Sequence, residues 1–155
     1  MKFLPTVVMI LMLCASVVCA ADIPKGLVDS KPDKAMYINL DDWYAKHPVG
    51  EKKGLIVDTV YASPRTMVTV RTGVKGWVAG PHYHATTDEV VIVAGGKGEI
   101  LVNGKWVQVK AGDIHVCPRG VVHDTRALDE NFRFLSIYSP HMPPGGDANF
   151  VKASQ

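Results

Sequence analysis

Cysteine is scarce in this chain of 155 residues, which contains only Cys14, Cys19 and Cys117. The first two lie in an apolar leader that we expect to be removed, so that Cys117 would remain alone. A single thiol cannot form an intramolecular disulfide, even in an oxidising compartment. The fold must therefore be held together by a hydrophobic core or by a bound metal ion.

An excess of charge of one sign is also absent. The formal net charge is +2, and it falls to +1 once Lys2 leaves with the leader. The chain has no extended block of basic residues. Because nucleic-acid binding depends on a concentrated positive surface, we expect no nucleic-acid partner.

A hydrophobic run long enough to span a bilayer is missing as well. The leading apolar stretch covers residues 3–18, which is shorter than the roughly 20 residues that a membrane-spanning helix needs. Lys2 precedes this stretch, and the small residues Val18 and Ala20 fit the positions before a signal-peptidase site. We therefore expect residues 1–20 to be a cleaved signal peptide rather than a retained anchor. The mature protein is then expected to be periplasmic or secreted, without membrane attachment.

Sustained helical periodicity is absent after Arg65. Short runs rich in Val, Ile, Tyr and Phe follow one another there, separated by Gly, Asn-Gly or Pro, which is the pattern of an all-β sandwich or barrel. Asn103-Gly104 is the strongest hairpin signal, because a two-residue type I′ turn needs positive φ at both residues. We expect a β-barrel over residues 64–140.

The segments on either side of the barrel differ from it in composition. Residues 21–63 form an N-terminal arm, in which LDDWYAKHP predicts one short helix with an Asp cap near Asp41 and an end before Pro48. Later in the arm, GLIVDTVYAS could form a first strand. The tail, residues 141–155, is rich in Pro and Gly, so we expect it to lack regular structure and to fold over the barrel or a partner subunit.

Two histidines and a glutamate lie close together before the most strand-like segment. In PHYHATTDEVVIVAGG, His82 and His84 are two residues apart, so on a strand they share one face while Tyr83 points away. Glu89 can return to the same point after the ATTD turn. Side chains of these types can bind one ion at about 2.0–2.2 Å each, although a polar surface loop would have the same composition.

A second stretch, GDIHVCPRGVVHDTRA, contributes another histidine. The two stretches follow a spaced pattern: glycine, five residues, His-x-His, four residues, Glu, six residues and glycine, and then glycine, five residues, Pro-x-Gly, two residues and His. The matching residues are Gly76, His82, His84, Glu89 and Gly96, followed by Gly112, Pro118, Gly120 and His123. In this pattern, over residues 76–127, the chain resembles the small single-domain microbial cupins. Ala127 departs from the family pattern, which has Asn at that position.

The resemblance implies a single-domain cupin fold, that is, an all-β double-stranded β-helix or jelly-roll barrel, with a short N-terminal arm. It also implies that four inward-facing side chains bind one divalent metal ion: His82, His84, Glu89 and His123. Three imidazoles and one carboxylate suit Fe(II), Mn, Ni, Zn or Cu better than Ca or Mg. The departure at Ala127 removes no ligand, but it puts a hydrogen bond in the pocket in doubt.

Other residues have both a functional and a structural interpretation. Tyr138 is a candidate proton donor or acceptor near the metal, or else a core aromatic residue. His115 could face the pocket, although a surface position is favoured. Arg71 and Arg126 could bind a substrate carboxylate or lie at the surface. We expect Cys117 to be a small buried residue rather than a reactive thiol. The remaining candidates are expected to be solvated or structural: His47, His141, Trp77 and Trp106.

Two classes of function fit these expectations. The first is a small metal-dependent enzyme, of the dioxygenase, isomerase or lyase type, that acts on a small oxygen-rich molecule. The second is a non-catalytic cupin that binds a metal ion or a small ligand. A convincing acid or base beside the open coordination positions would favour the enzyme. In either case we expect a homodimer, because a small barrel exposes a broad sheet face and the arm could add a strand across a two-fold axis.

Overall fold

A computed structural model describes residues 35–142 and 150–153. The predicted signal peptide, residues 1–20, and the beginning of the predicted arm lie outside the described residues. No helix in the described part of the chain is long and apolar enough to cross a membrane. The helix and strands follow one another as α1 (Leu40–Lys46), β1 (Leu55–Ser63), β2 (Thr66–Gly73), β3 (His82–His84), β4 (Asp88–Gly95), β5 (Gly98–Val102), β6 (Lys105–Val109), β7 (Ile114–Cys117), β8 (Asp124–Ala127), β9 (Phe132–Ser139) and β10 (Phe150–Lys152).

The strands pair into three antiparallel sheets. The largest has five strands in the order β1-β2-β9-β4-β7, the second has three in the order β6-β5-β8, and β10 pairs with β3. Isolated bridges between Val78 and Arg126 and between His82 and His123 connect the segment around β3 to the three-stranded sheet. The expected all-β architecture, a double-stranded β-helix, is confirmed.

Helix α1 covers part of the outer face of the large sheet, with Leu40 beside Val70 and Leu135. The helix is capped by the side chain of Asn39, which accepts a hydrogen bond from the Asp42 backbone N–H at 3.1 Å. The expected Asp cap near Asp41 is therefore wrong. An Asn side-chain oxygen caps a helix as well as a carboxylate does, and both aspartates lie instead in the first turn, where the helix dipole favours negative charge.

The strand predicted in the arm and the predicted hairpin are both present. β1 pairs with β2 from Leu55 opposite Gly73 to Ser63 opposite Thr66, so it extends the large sheet within the same chain. β5 and β6 are joined at Asn103-Gly104, whose φ values of 49° and 77° are those of a type I′ turn.

The hydrophobic core lies between the five-stranded and the three-stranded sheets. Buried and partly buried residues alternate along β4 and β9, as expected for strands with one face inward. The buried cluster draws on both sheets: Val91, Val93, Ile100, Ala127, Phe132 and Phe134. Each large side chain buried here stabilises the fold by about 1.5–3 kcal/mol. Because Ala127 packs into this core, the position contributes no polar group to the pocket.

Gly96, the last glycine of the first motif, marks a close approach of two backbone segments. Its φ is +72°, a conformation that other residues rarely adopt, and a Cβ at this position would overlap the backbone carbonyl of Asn131. A backbone group cannot swing aside as a side chain can. This glycine is therefore required by the chain path from β4 to β5, and not by metal chemistry.

The C-terminal tail contains a strand, so the expectation that it lacks regular structure is wrong. β10 pairs with β3 in antiparallel register, with Phe150 opposite His84 and Lys152 opposite His82. The Ala153 N–H adds a hydrogen bond to the Pro81 carbonyl at 3.0 Å. The prolines and glycines of the tail precede this strand in the sequence, and pairing satisfies backbone groups along the edge of β3.

Candidate metal centre

The four predicted ligands meet inside the barrel. His82 and His84 lie on β3, Glu89 lies near the start of β4, and His123 immediately precedes β8. Their exposed fractions are 5%, 2%, 4% and 3%, respectively. Tyr83 lies on the other face of β3 and is partly exposed, as predicted. The alternation of a strand therefore brings both histidines inward, and the topology adds the other two side chains.

The ligand atoms of these residues are close enough to share one ion. One atom from each of the four residues lies within 4.8 Å of the others. The Nε2 atoms of His84 and His123 are 3.3 and 3.1 Å from the same Glu89 oxygen, Oε2. Ligands on opposite sides of one ion, at about 2.0–2.2 Å each, would be about 4.4 Å apart. The group is thus close to the size of a metal coordination sphere.

Hydrogen bonds to backbone carbonyls fix the orientation of two imidazoles. Nδ1 of His82 is 2.7 Å from the Gly80 carbonyl, and Nδ1 of His123 is 2.9 Å from the Val121 carbonyl. A carbonyl only accepts, so each Nδ1 must carry the proton and donate it. In the neutral ring of His82, Nε2 then keeps its lone pair directed into the group, which is the tautomer that a metal ligand requires. His123 also donates from Nε2 to Glu89, so that a bound ion would take the place of this second proton.

The charges of the group also suit a cation. Burial lowers the pKa of His82 to about 4, against smaller effects of its Gly80 hydrogen bond and of Glu89, so its imidazole is neutral at pH 7. Burial raises the pKa of Glu89. Hydrogen bonds from His123 and His84 and the nearby charge of Arg71 lower this pKa by a larger amount, so that it lies well below its usual range. An ionised carboxylate among imidazoles fits a divalent transition-metal ion.

Asp124 supports the site without belonging to the ligand group. Its side chain is buried, and Oδ1 accepts hydrogen bonds from the backbone N–H groups of Gly80 at 2.9 Å and Thr125 at 2.6 Å. Gly80 in turn supplies the carbonyl that orients His82. Reciprocal backbone hydrogen bonds of 3.0 and 2.8 Å between His82 and His123 tie the same two segments together. Partners of this kind tune a metal ligand's position.

Tyr138 lies against the group, on the inward face of β9. Its ring is edge-on to the His84 ring, with the centroids 5.5 Å apart, and its hydroxyl is hydrogen-bonded to the Glu89 carboxylate. Burial and the negative charge of Glu89 raise the pKa of this phenol far above its ordinary value. Tyr138 is therefore a neutral phenol that holds its proton at the edge of the ligand group.

A cavity of about 300 Å³ opens onto the four ligands. Its wall is both polar and apolar, and it includes Arg71, Trp77, Thr125, Phe134, Tyr138 and Met142. Thus one side of the ligand group faces a space large enough for a small molecule, while the other sides are covered by the barrel.

The two arginines considered as carboxylate ligands lie in different places. Arg71 lines the cavity. Arg126 forms an ion pair with Glu99 and stacks on Trp106, with its guanidinium carbon 4.0 Å from the ring centroid. The charge of Arg126 is thus neutralised within the fold by Glu99.

Trp77, which we expected in the core or at an interface, is half-buried at the cavity wall.

His115 occupies a different position from the one favoured by the sequence. It shares the inward face of β7 with Cys117, and its ring centroid lies 6.3 Å from that of His123. The favoured surface position is wrong, because β7 pairs with β4 so that His115 stands opposite the buried Val91. Burial, followed by the charge of His123, lowers the pKa of this imidazole.

The other residues mostly agree with expectation. Cys117 is buried, as predicted, and burial and the charge of Glu89 raise the pKa of its thiol. His47 is exposed at the end of α1, where its backbone N–H bonds to the Trp43 carbonyl. His141 was expected to be solvated but is partly buried.

A family comparison agrees with this geometry. The model of the cupin domain family matches residues 68–138, which include the four ligands and Tyr138. Residues 68–138 are a cupin domain. The match begins within β2 and ends within β9, so β1 and β10 flank the matched part of the barrel.

Three similar proteins extend the comparison. An uncharacterized protein of Aquifex aeolicus is 42% identical over 60 residues, which are 39% of this chain and 50% of that protein. Pectin degradation protein KdgF of Dickeya dadantii is 29% identical over 66 residues, 43% of this chain and 60% of that protein. The chain thus spans about half the length of the curated relatives it matches. The solved structure of KdgF from Halomonas sp. has a TM-score of 0.58 and 24% identity, and the match covers 69% of this chain and 95% of that one; it shows the fold alone.

The supporting role of Asp124 in the cupin domain predicts the behaviour of two variants. Asp124→Ala should weaken metal binding about 10–100-fold, because the Gly80 peptide loses the partner that orients it toward His82. Asp124→Asn should keep most of the affinity, since its side-chain oxygen still accepts. Titration of the metal-free protein with Zn(II) measures both constants, with Asp113→Ala, a partly exposed aspartate outside the ligand group, as the control. Wild-type affinity in Asp124→Ala would contradict this role.

Proposed function

We propose that this cupin is a metal-dependent enzyme of the dioxygenase, isomerase or lyase type that acts on a small oxygen-rich molecule. The observation that carries the proposal is a buried group of three histidines and one glutamate that opens onto a cavity of about 300 Å³. The resident ion would be one divalent Fe, Mn, Ni, Zn or Cu, held by His82, His84, Glu89 and His123. Four protein ligands leave positions for a substrate in an octahedral site.

The chain's own residues would orient the substrate and control its proton. A bound divalent ion supplies Lewis acidity and a template for substrate oxygens. Trp77 and Phe134 form an apolar wall that limits water in the cavity. Tyr138, a neutral phenol in contact with this cavity, holds a proton that it can donate to a substrate oxygen. This assigns Tyr138 as a general acid rather than a base.

The name of one relative supports a role in the conversion of a small oxygen-rich molecule. KdgF of Dickeya dadantii, which matches 43% of this chain, is a pectin degradation protein. We take from it only the expectation of a small, oxygen-rich substrate.

The alternative is a non-catalytic cupin that binds a metal ion or small ligand. One observation favours it: the Tyr138 hydroxyl is already hydrogen-bonded to Glu89, and its raised pKa makes it a weak acid. In that case Tyr138 would only position a metal ligand, and no chemical step would depend on its proton.

Replacement of single ligands tests metal binding directly. His82→Ala or His123→Ala should remove most of the metal that copurifies with the protein, because no neighbouring residue replaces the lost imidazole. Thermal stability should fall as well, since a ligand that binds only the folded state stabilises it by about 2.7 kcal/mol at a hundredfold excess over Kd. Elemental analysis and thermal unfolding measure the two effects.

His141→Ala and Tyr83→Phe are the matched controls, and both should retain the ion, because neither side chain belongs to the ligand group. Stoichiometric metal in a His82→Ala, His123→Ala double variant would show that the ion is bound elsewhere.

Tyr138→Phe separates the enzyme from the binding module. Screening the metal-loaded protein for oxygen uptake and for conversion of small hydroxy acids and sugars should reveal turnover. The Phe variant should then lose about 10²–10⁴ in kcat, the usual contribution of a general acid, while elemental analysis shows unchanged metal content. Equal kcat in both proteins would remove the acid role, and ligand binding without any turnover would favour the non-catalytic alternative.

We also propose export and a homodimer. The outer face of the large sheet supports the dimer: Ile114 and Val116 are 64% and 59% exposed on β7, and they stand beside Ile92 and Val90 on β4. A contiguous apolar sheet face of this kind is typical of a protein interface, and a two-fold axis would bury it against itself.

Native mass spectrometry of protein recovered from its export route tests both proposals at once. We expect a mass of two chains that each begin at Ala21. A chain that still carries residues 1–20 would contradict cleavage, and a monomer at micromolar concentration would contradict the dimer. Ile114→Glu should dissociate the dimer, whereas Val107→Glu, an exposed valine on β6, should not.

A further inference from the structure

Arg71 is the one Lys or Arg among the described residues that line the cavity. It lies on β2, opposite Phe134 of β9, and it is partly buried. β2 lies between β1 and β9 in the large sheet, so strands on both sides hold the backbone of Arg71. A cationic side chain at this position is set by the barrel and not by a flexible loop.

The guanidinium group is held in place but is left with unused donors. Nε donates to Thr69 Oγ1 at 2.9 Å, and the guanidinium carbon lies 5.3 Å from the centroid of the Tyr138 ring. Within residues 35–142 and 150–153, Arg71 forms no ion pair, whereas Arg119 pairs with Asp88 and Arg126 with Glu99. The two terminal nitrogens of Arg71 are thus available to a planar anion, which can accept two parallel hydrogen bonds from them.

The charge balance of the cavity points to an anion as well. Glu89 is the one acidic residue among its described lining residues, and Glu89 belongs to the ligand group. A bound divalent ion and Arg71 together bring three positive charges, against one negative charge from Glu89. An anionic ligand would neutralise the excess, and the enclosed cavity would strengthen the attraction.

The Tyr138 ring lies close to Arg71 and to the ligand group. Its centroid is 5.3 Å from the Arg71 guanidinium carbon and 5.5 Å from the centroid of the His84 ring. A molecule that contacts both Arg71 and the ligand group would therefore lie beside the Tyr138 ring. A cavity of about 300 Å³ lies at the small end of ligand sites, which favours a single small acid over a polymer.

We propose that Arg71 is the specificity-determining residue of this pocket, and that it binds the terminal carboxylate of a small acid whose other oxygen atoms reach the ligand group. This inference rests on the proposed metal-dependent function, and it narrows the substrate from an oxygen-rich molecule to a carboxylate. The carboxylate binds the two terminal nitrogens of Arg71, and the chain of the acid lies along the Tyr138 ring.

Matched pairs of acids test the inference in the Zn(II)-loaded protein. Malate and 2-hydroxyglutarate carry a chelating hydroxy acid and a second carboxylate, whereas 2-hydroxybutyrate and 2-hydroxyvalerate end in a methyl group instead. Isothermal titration should show that at least one diacid binds about 10–100-fold more tightly than its methyl-ended partner, the range expected for a hydrogen bond to a charged group. Arg71→Gln should abolish this preference, because a neutral amide lacks the charged pair of donors, while the methyl-ended acids still bind. Zn(II) is kept saturating in every titration, so that the proteins are compared at equal metal content.

Two further variants control for charge and folding. Arg65→Gln removes an exposed arginine from the turn between β1 and β2 and should keep the full preference. Arg71→Lys should keep part of it, because an ammonium group is a point charge without the planar pair of donors. Circular dichroism shows whether each variant is folded. If Arg71→Gln is unfolded, the Lys variant decides: a wild-type preference there would overturn the bidentate contact.

Other outcomes separate the two proposals. Equal binding of both acids by the wild-type protein, or an undiminished preference in folded Arg71→Gln, would overturn the role of Arg71. Tighter binding of 3-phosphoglycerate than of 2-hydroxyglutarate would assign a phosphate and overturn the carboxylate class. A wild-type protein that binds no Zn(II) would refute the metal-dependent function. The same titrations without metal would then decide the role of Arg71. A preference for the diacid that depends on Arg71 would support this role, and the absence of such a preference would overturn it.

Discussion

A buried, ionised carboxylate is the constraint on which the site depends. Burial raises the pKa of Glu89, but hydrogen bonds from His123, His84 and Tyr138 and the charge of Arg71 together lower it well below its usual range. A carboxylate removed from water in this way is costly unless cationic or donor groups surround it. The imidazoles, the phenol and the guanidinium are therefore arranged around one charge, and a divalent ion at the same point would be held by that charge and by the lone pairs of the histidines.

The barrel assembles these groups from distant parts of the chain. β3 supplies two ligands, β4 one, the segment before β8 one, β9 the phenol and β2 the guanidinium. β3 has only three residues, and it is held on one side by β10 and on the other by reciprocal backbone hydrogen bonds between His82 and His123. The C-terminal strand thus supports the candidate metal centre without placing a side chain in it. This arrangement explains how so short a strand can position two ligands.

Local signals in the sequence predict the candidate ligands and the hairpin. The features that the sequence does not predict depend on pairing between distant segments. The spacing of His82, His84 and Glu89 reflects strand alternation, and Asn103-Gly104 reflects the positive φ of a type I′ turn; both are readable from neighbouring residues. The strand β10 cannot be predicted from neighbouring residues, because Phe150–Lys152 becomes a strand only by pairing with β3. His115 points inward because of the register between β7 and β4, and Arg71 differs from Arg126 because only Arg126 has an acidic partner across its sheet. Asp124 follows a ligand directly, yet its role depends on Gly80, which is 44 residues away.

The most direct test of the metal centre is anomalous diffraction from crystals of the Zn(II)-loaded protein, with data collected on both sides of the zinc absorption edge. We expect one strong anomalous peak at about 2.0–2.2 Å from Nε2 of His82, His84 and His123 and from a carboxylate oxygen of Glu89. A peak bound by other residues, or full zinc content with no peak among these four side chains, would contradict a metal centre at this position.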